Sequence, residues 1–79
     1  MFTTSDYSFQ VYRAEYAFQQ RSALEIDLGE GEFVTVLAKQ DVAGNTDWWL
    51  VQNDAGAQGY VPASYLSQLI VQDTPHLFI

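Results

Sequence analysis

The chain has no cysteine, three basic residues (Arg13, Arg21 and Lys39) against ten acidic ones, and a single histidine. No apolar run approaches the ~20 residues that a membrane-spanning helix needs. Without cysteine, neither disulfides nor thiolate-bound zinc can brace the fold. That usage fits a reducing compartment, so a cytoplasmic location is expected. At a net charge of −7 there is almost nothing to neutralise phosphates, which argues against nucleic acid and anionic membranes as ligands. If the acidity serves more than solubility, its complement is a basic partner, since opposite charge speeds encounter. The stretch Met1–Tyr7 is uncharged until Asp6 and lacks a basic region, unlike a secretory signal or transit peptide. Helical periodicity of useful length, internal repeats and low-complexity tracts are missing too.

The residues of catalysis are equally scarce. His76 lies in the trailing tail, and the carboxylates Asp27 and Glu30 fall on a loop with no implied cleft. No serine has an acid–base partner, and no glycine-rich phosphate cradle leads from a strand into a helix. The sequence is therefore read as non-enzymatic, with no cofactor and no metal.

What is present is a small, apolar, strand-like domain. Its 79 residues are 48% hydrophobic, which suits one globular unit. Trp48 and Trp49 are adjacent, and successive side chains of a strand point to opposite faces. One indole must therefore face away from whatever the other packs on, and an aromatic left outside suggests a surface covered by a partner. Strands are expected at Gln10–Ala17, Phe33–Ala38, Trp48–Gln52, Gly59–Val61 and Ser67–Val71, with a 3₁₀ turn at Ala63–Tyr65. Turn residues fill the connections around Gly44 and around Asn53–Gly56, and Gly29 and Gly31 suit a sharp reversal. The connection from Phe18 to Glu32 is long for so small a domain, which usually marks function. Short strands separated by turn signals indicate a small all-β barrel or sandwich.

Four segments then become specific together: Ala14-Glu15-Tyr16-Ala17-Phe18, Glu25–Glu32, Asp47-Trp48-Trp49, and Gly59-Tyr60-Val61-Pro62-Ala63-Ser64-Tyr65-Leu66. Their order and spacing resemble the SH3 domain from about Tyr12 to Leu69. The resemblance implies a five-stranded barrel of two orthogonal antiparallel sheets, with a core of Ala14, Ile26, Leu28, Val34, Val36, Val51, Val61 and Leu66. It divides the chain into an N-terminal extension (1–11), the domain (12–70) and a tail (71–79). The tail segment Pro75–Ile79 is apolar for a free end: either it packs back on the domain, or, the expectation favoured here, it marks the cut edge of a longer adaptor or signalling protein.

The resemblance also implies a ligand: proline-rich segments with an Arg or Lys anchor, bound by a domain that is monomeric in isolation. In a polyproline II helix the prolines of P-x-x-P lie on one side and fit slots between aromatic rings. Tyr16, Pro62 and Tyr65 are expected to line those slots, with Phe18 beside them. Trp48 would stand as a wall whose indole N–H meets a ligand carbonyl, leaving Trp49 to pack on the sheet; the opposite assignment is the alternative. Glu25 would pair with the ligand's base, Asp47 would assist from across the pocket, and Tyr60 would reach the rim or pack sideways. Departures from the pattern are Phe18 for a tyrosine, Ala17 for an acid, and Ser64 for an asparagine, a shorter-reaching donor. Arg21 stands in a loop where relatives carry acids, and could repel the ligand's base or pair with Glu25. The alternative to the P-x-x-P reading is an atypical domain that contacts another surface or a segment of its own parent chain.

Overall fold

The structure is a computed structural model that describes residues 10–68. Five strands form it: β1 (Val11–Ala14), β2 (Phe33–Ala38), β3 (Trp48–Gln52), β4 (Gln58–Pro62) and β5 (Leu66–Gln68). They are hydrogen-bonded in the order β4-β3-β2-β1-β5, and every neighbouring pair is antiparallel. This is the expected all-β architecture, and one ladder bent around a single core is consistent with the barrel of two orthogonal sheets. The extension before residue 10, the expected strand residues 69–71 and the apolar tail lie outside the described residues.

β2 shows how the sequence makes a strand. Val34 and Val36 are buried while Phe33, Thr35 and Leu37 are exposed, the alternation of a strand with one wet face. Its pairing with β3 shifts register between Val36 and Ala38, which bends the ladder there. β1 is shorter than Gln10–Ala17. After Ala14 the chain turns away: Ala14 N–H donates to Glu32 O at 2.8 Å, and Glu15 N–H donates to Tyr65 O at 2.7 Å.

The core is Tyr12, Ala14, Ile26, Leu28, Val34, Val36, Val51 and Val61, each below a tenth exposed. Two positions differ from expectation. Tyr12 is buried because it faces inward on β1 with Ala14 and is covered by the Trp49 ring and Lys39. Leu66 is only half-buried, since it opens the edge strand β5 and packs against the cluster from its rim.

Two connections are built by the same device. Asp41 Oδ1 accepts from the N–H of Ala43 and Asn45, both at 2.9 Å, and Asn53 Oδ1 accepts from Ala55 and Ala57, both at 3.0 Å. Each turn ends on a glycine in the left-handed region, Gly44 at φ 85° and Gly56 at φ 86°. Gly31, also at φ 85°, closes the long β1–β2 connection by donating to Ala14 O at 2.7 Å.

That long connection, residues 15–32, is ordered by its own pairing. Phe18 and Leu28 exchange backbone hydrogen bonds at 3.0 and 2.8 Å. Its outer limb then crosses β4: Tyr60 N–H donates to Leu24 O at 2.8 Å, and Ile26 N–H donates to Tyr60 O at 3.2 Å. The crossing leaves no room at Gly59, where a β-carbon would lie 2.8 Å from both the Glu25 carbonyl carbon and Ile26 Cβ. Gly59→Ala should therefore destabilise the domain by roughly 2–3 kcal/mol through overpacking. Gly56→Ala meets open space and should cost only about 1 kcal/mol, from its backbone conformation. Urea unfolding of the two variants checks the order; equal losses would mean the crossing is not tight.

Candidate functional site

Period two sorts the β3–β4 ribbon into two faces. Trp49 lies opposite Val61 and shares the inner face with Val51; Trp48 lies opposite Pro62, and Leu50 opposite Tyr60, on the outer one. Trp49 is a packing residue. Its ring meets Tyr12 edge to face with centroids 5.2 Å apart, worth about 0.5–1.5 kcal/mol beyond burial. Its Nε1–H donates to Thr46 O at 3.0 Å, and Lys39 Nζ sits 5.1 Å from its ring centre.

Trp48 ends a row of aromatics on the outside. Tyr16 contacts Tyr65 with centroids 5.4 Å apart, Tyr65 contacts Phe18 at 6.0 Å, and Phe18 contacts Trp48 at 6.0 Å, all edge to face. The rings come from distant segments. Tyr16 and Phe18 follow the turn after β1, Trp48 opens β3, and Tyr65 ends the 3₁₀ turn Ala63–Tyr65. That turn is fixed at both ends, because Ala63 N–H donates to Asp47 O at 2.8 Å and Tyr65 O accepts from Glu15. Pro62 enters it at φ −65°, the angle its ring imposes, and sits on the edge strand β4, where no ladder donor is required. Tyr16 remains 61% exposed, a large aromatic surface facing solvent. Ser64 is exposed on the turn beside Tyr65. Among the described residues, no acceptor is paired with Trp48 Nε1–H.

Beyond Trp48 the row opens into a cavity of about 290 Å³ lined by Ser22, Leu24, Glu25, Asp41, Val42, Trp48 and Tyr60. Two of these are carboxylates, Glu25 from the long connection and Asp41 from the β2–β3 turn. Asp47 is not part of this lining. It is exposed in the turn before Trp48, with its backbone N–H held by Asn45 Oδ1 at 2.9 Å. Asp41, which the sequence does not single out, lies in the lining with Glu25 where Asp47 does not. Tyr60 borders the cavity because its backbone is locked to the Leu24–Ile26 limb.

The basic residues are all engaged. Arg13 pairs with Glu15 at 3.2 Å, and Lys39 caps the Tyr12 and Trp49 rings. Arg21 pairs with Glu25, the second of the two arrangements left open by the sequence. The Glu25 carboxyl is held below the ordinary glutamate range, first by the side-chain hydrogen bonds from Arg21 and then by its backbone N–H at 2.8 Å. Glu15 is lowered likewise, first by the Ser67 hydroxyl that donates to it and then, against a desolvation effect of opposite sign, by Arg13.

A family model described as SH3 domain matches residues 13–63, and the chain belongs to that family of protein-interaction modules. It is 43% identical over 60 residues to Rho guanine nucleotide exchange factor 38 of Mus musculus, and 40% identical over 57 residues to dynamin-binding protein of Homo sapiens. Those matches cover 76% and 72% of this chain but 8% and 4% of the two relatives, so it spans a small fraction of their length. Among solved structures, the SH3 domain of yeast NBP2 superposes with a TM-score of 0.67 at 27% identity, covering 77% of this chain and 98% of that one. The C-terminal SH3 domain of myosin IB from Entamoeba histolytica, bound to an EhFP10(GEF) peptide, shares the fold at 21% identity and a TM-score of 0.66, covering 80% and 86%.

The lowered carboxyls give stability a definite pH dependence. Between their folded and unfolded values the unfolded chain binds more protons, so stability rises with pH. The contribution is complete above the ordinary glutamate range and is lost as pH falls through the lowered folded values. Glu15→Gln and Glu25→Gln should each flatten the stability profile between roughly pH 5 and pH 3. Thermal unfolding across that window measures the slope, and an unchanged slope in both variants would contradict the assignment.

Proposed function

We propose that the outer aromatic row is a groove for proline-rich segments in the polyproline II conformation. The observation that carries this reading is the unbroken run Tyr16–Tyr65–Phe18–Trp48 beside a cavity holding Glu25 and Asp41. Rings meeting edge to face leave slots between them, and an extended ligand with three residues per turn presents its prolines to successive slots. Such a ligand is stiff before it binds, so little conformational entropy is lost. It also carries spare carbonyls, which suit the donors Trp48 Nε1–H, the hydroxyls of Tyr16 and Tyr65, and the shorter Ser64.

In this reading Tyr16, Phe18, Pro62 and Tyr65 line the slots, Trp48 divides them from the cavity, and Tyr60 forms the cavity's far rim. Glu25 and Asp41 attract a ligand Arg or Lys there, and Asp47 contributes only at longer range. The charge of −7 favours encounter with such basic segments. Residues 12–70 form the folding unit, monomeric and cytoplasmic, within a larger adaptor or signalling protein, as the length of the relatives suggests.

An amide-shift titration with a P-x-x-P peptide ending in Arg tests the groove. Shifts should cluster on Trp48, Tyr65 and Glu25. Trp48→Ala should weaken binding by more than about tenfold, as removal of a central aromatic does. Glu25→Gln should weaken it by only about two- to threefold, because a part-exposed ion pair selects more than it binds. Shifts elsewhere, or none at millimolar peptide, would reject the groove.

A further inference from the structure

Arg21 already occupies the acidic end of the groove. Its Nε and Nη2 lie 3.3 and 3.2 Å from Glu25 Oε1 and Oε2, a forked pairing with the two carboxylate oxygens. The same guanidinium is stacked, its Cζ 5.2 Å from the Trp48 ring centre and 5.8 Å from that of Phe18. A cation held by a carboxylate and lying over an indole ring is in the environment a ligand arginine would seek. The Arg21 side chain is 65% exposed and that of Glu25 only 14%, so the cation is the outer, displaceable member of the pair.

We infer that Arg21 is an in-chain competitor for basic anchors, and that it sets how strongly this domain prefers them. The inference rests on the groove reading above. A ligand base must displace Arg21 from Glu25, exchanging one charge-assisted pair for another and gaining little. A ligand with an uncharged residue at that point leaves the pair intact. Asp41, across the cavity, has no cation beside it among the described residues, so some attraction for a base survives.

The experiment uses the full 79-residue chain and two P-x-x-P peptides, identical except for Arg or Gln at the anchor. The wild type should bind the two within about twofold of each other. In Arg21→Gln the preference for the Arg peptide should rise about fivefold, the scale of one exposed pair plus its stacking, with the Gln peptide changed less than about twofold. The double variant Arg21→Gln with Glu25→Gln should lose that gain, which a purely structural role for Arg21 would not produce. Retention of the amide spectrum verifies the fold, and Arg21 is exposed enough to be replaced without disturbing it. An unchanged or reduced preference in Arg21→Gln, with the Gln peptide still bound in the groove, overturns the competitor alone. Absence of groove shifts with either peptide in either protein overturns the groove reading and the competitor together.

Discussion

The crossing of the long β1–β2 connection over β4 is the contact on which the site depends. Two backbone hydrogen bonds join Leu24–Ile26 to Tyr60, and the absence of a side chain at Gly59 lets the strands approach. Without that approach Ile26 would not reach the core, and Glu25 would not stand beside Trp48. The sheet supplies one wall of the site through Trp48, Tyr60 and Pro62. The crossing brings up the other wall, carrying Phe18, Arg21, Leu24 and Glu25. Fold and groove are thus joined at one place, where the smallest residue of the chain is also among the least replaceable.

Placing two tryptophans in sequence divides labour between the faces of β3. The inner indole closes the core over Tyr12, uses its N–H on Thr46, and is capped by Lys39. The outer one meets the Phe18 ring and the Arg21 guanidinium, which also touch each other. Both are half-buried, so burial alone does not distinguish them; their neighbours do. The chain's three cations are likewise each set against an acid or an aromatic ring of the same domain.

Much of this was legible in the residues. β2 and β3 follow directly from alternation, the 3₁₀ turn from Pro62, and the faces of Trp48 and Trp49 from period two. What was hidden depended on contacts between distant segments. Tyr12 is absent from the core expected from sequence, since nothing local says that Trp49 and Lys39 fold over it. Gly59 read as the start of a motif, and the limb that crosses it lies more than thirty residues earlier in the chain. Asp41 and Asp47 are both acids in one loop. Only the folded turn directs the first to the cavity beside Glu25 and leaves the second outside it.

The twin turns have an implication for how this surface can vary. At Asn53 a neutral amide oxygen performs the same backbone capping that a carboxylate oxygen performs at Asp41. The turn therefore needs an acceptor, not a charge. At Asp41 shape and electrostatics are separable, so a change of one atom group, carboxylate to amide, alters the potential of the cavity while the backbone around it keeps its course. A lineage can retune the sign and strength of this corner without redesigning the loop that holds it.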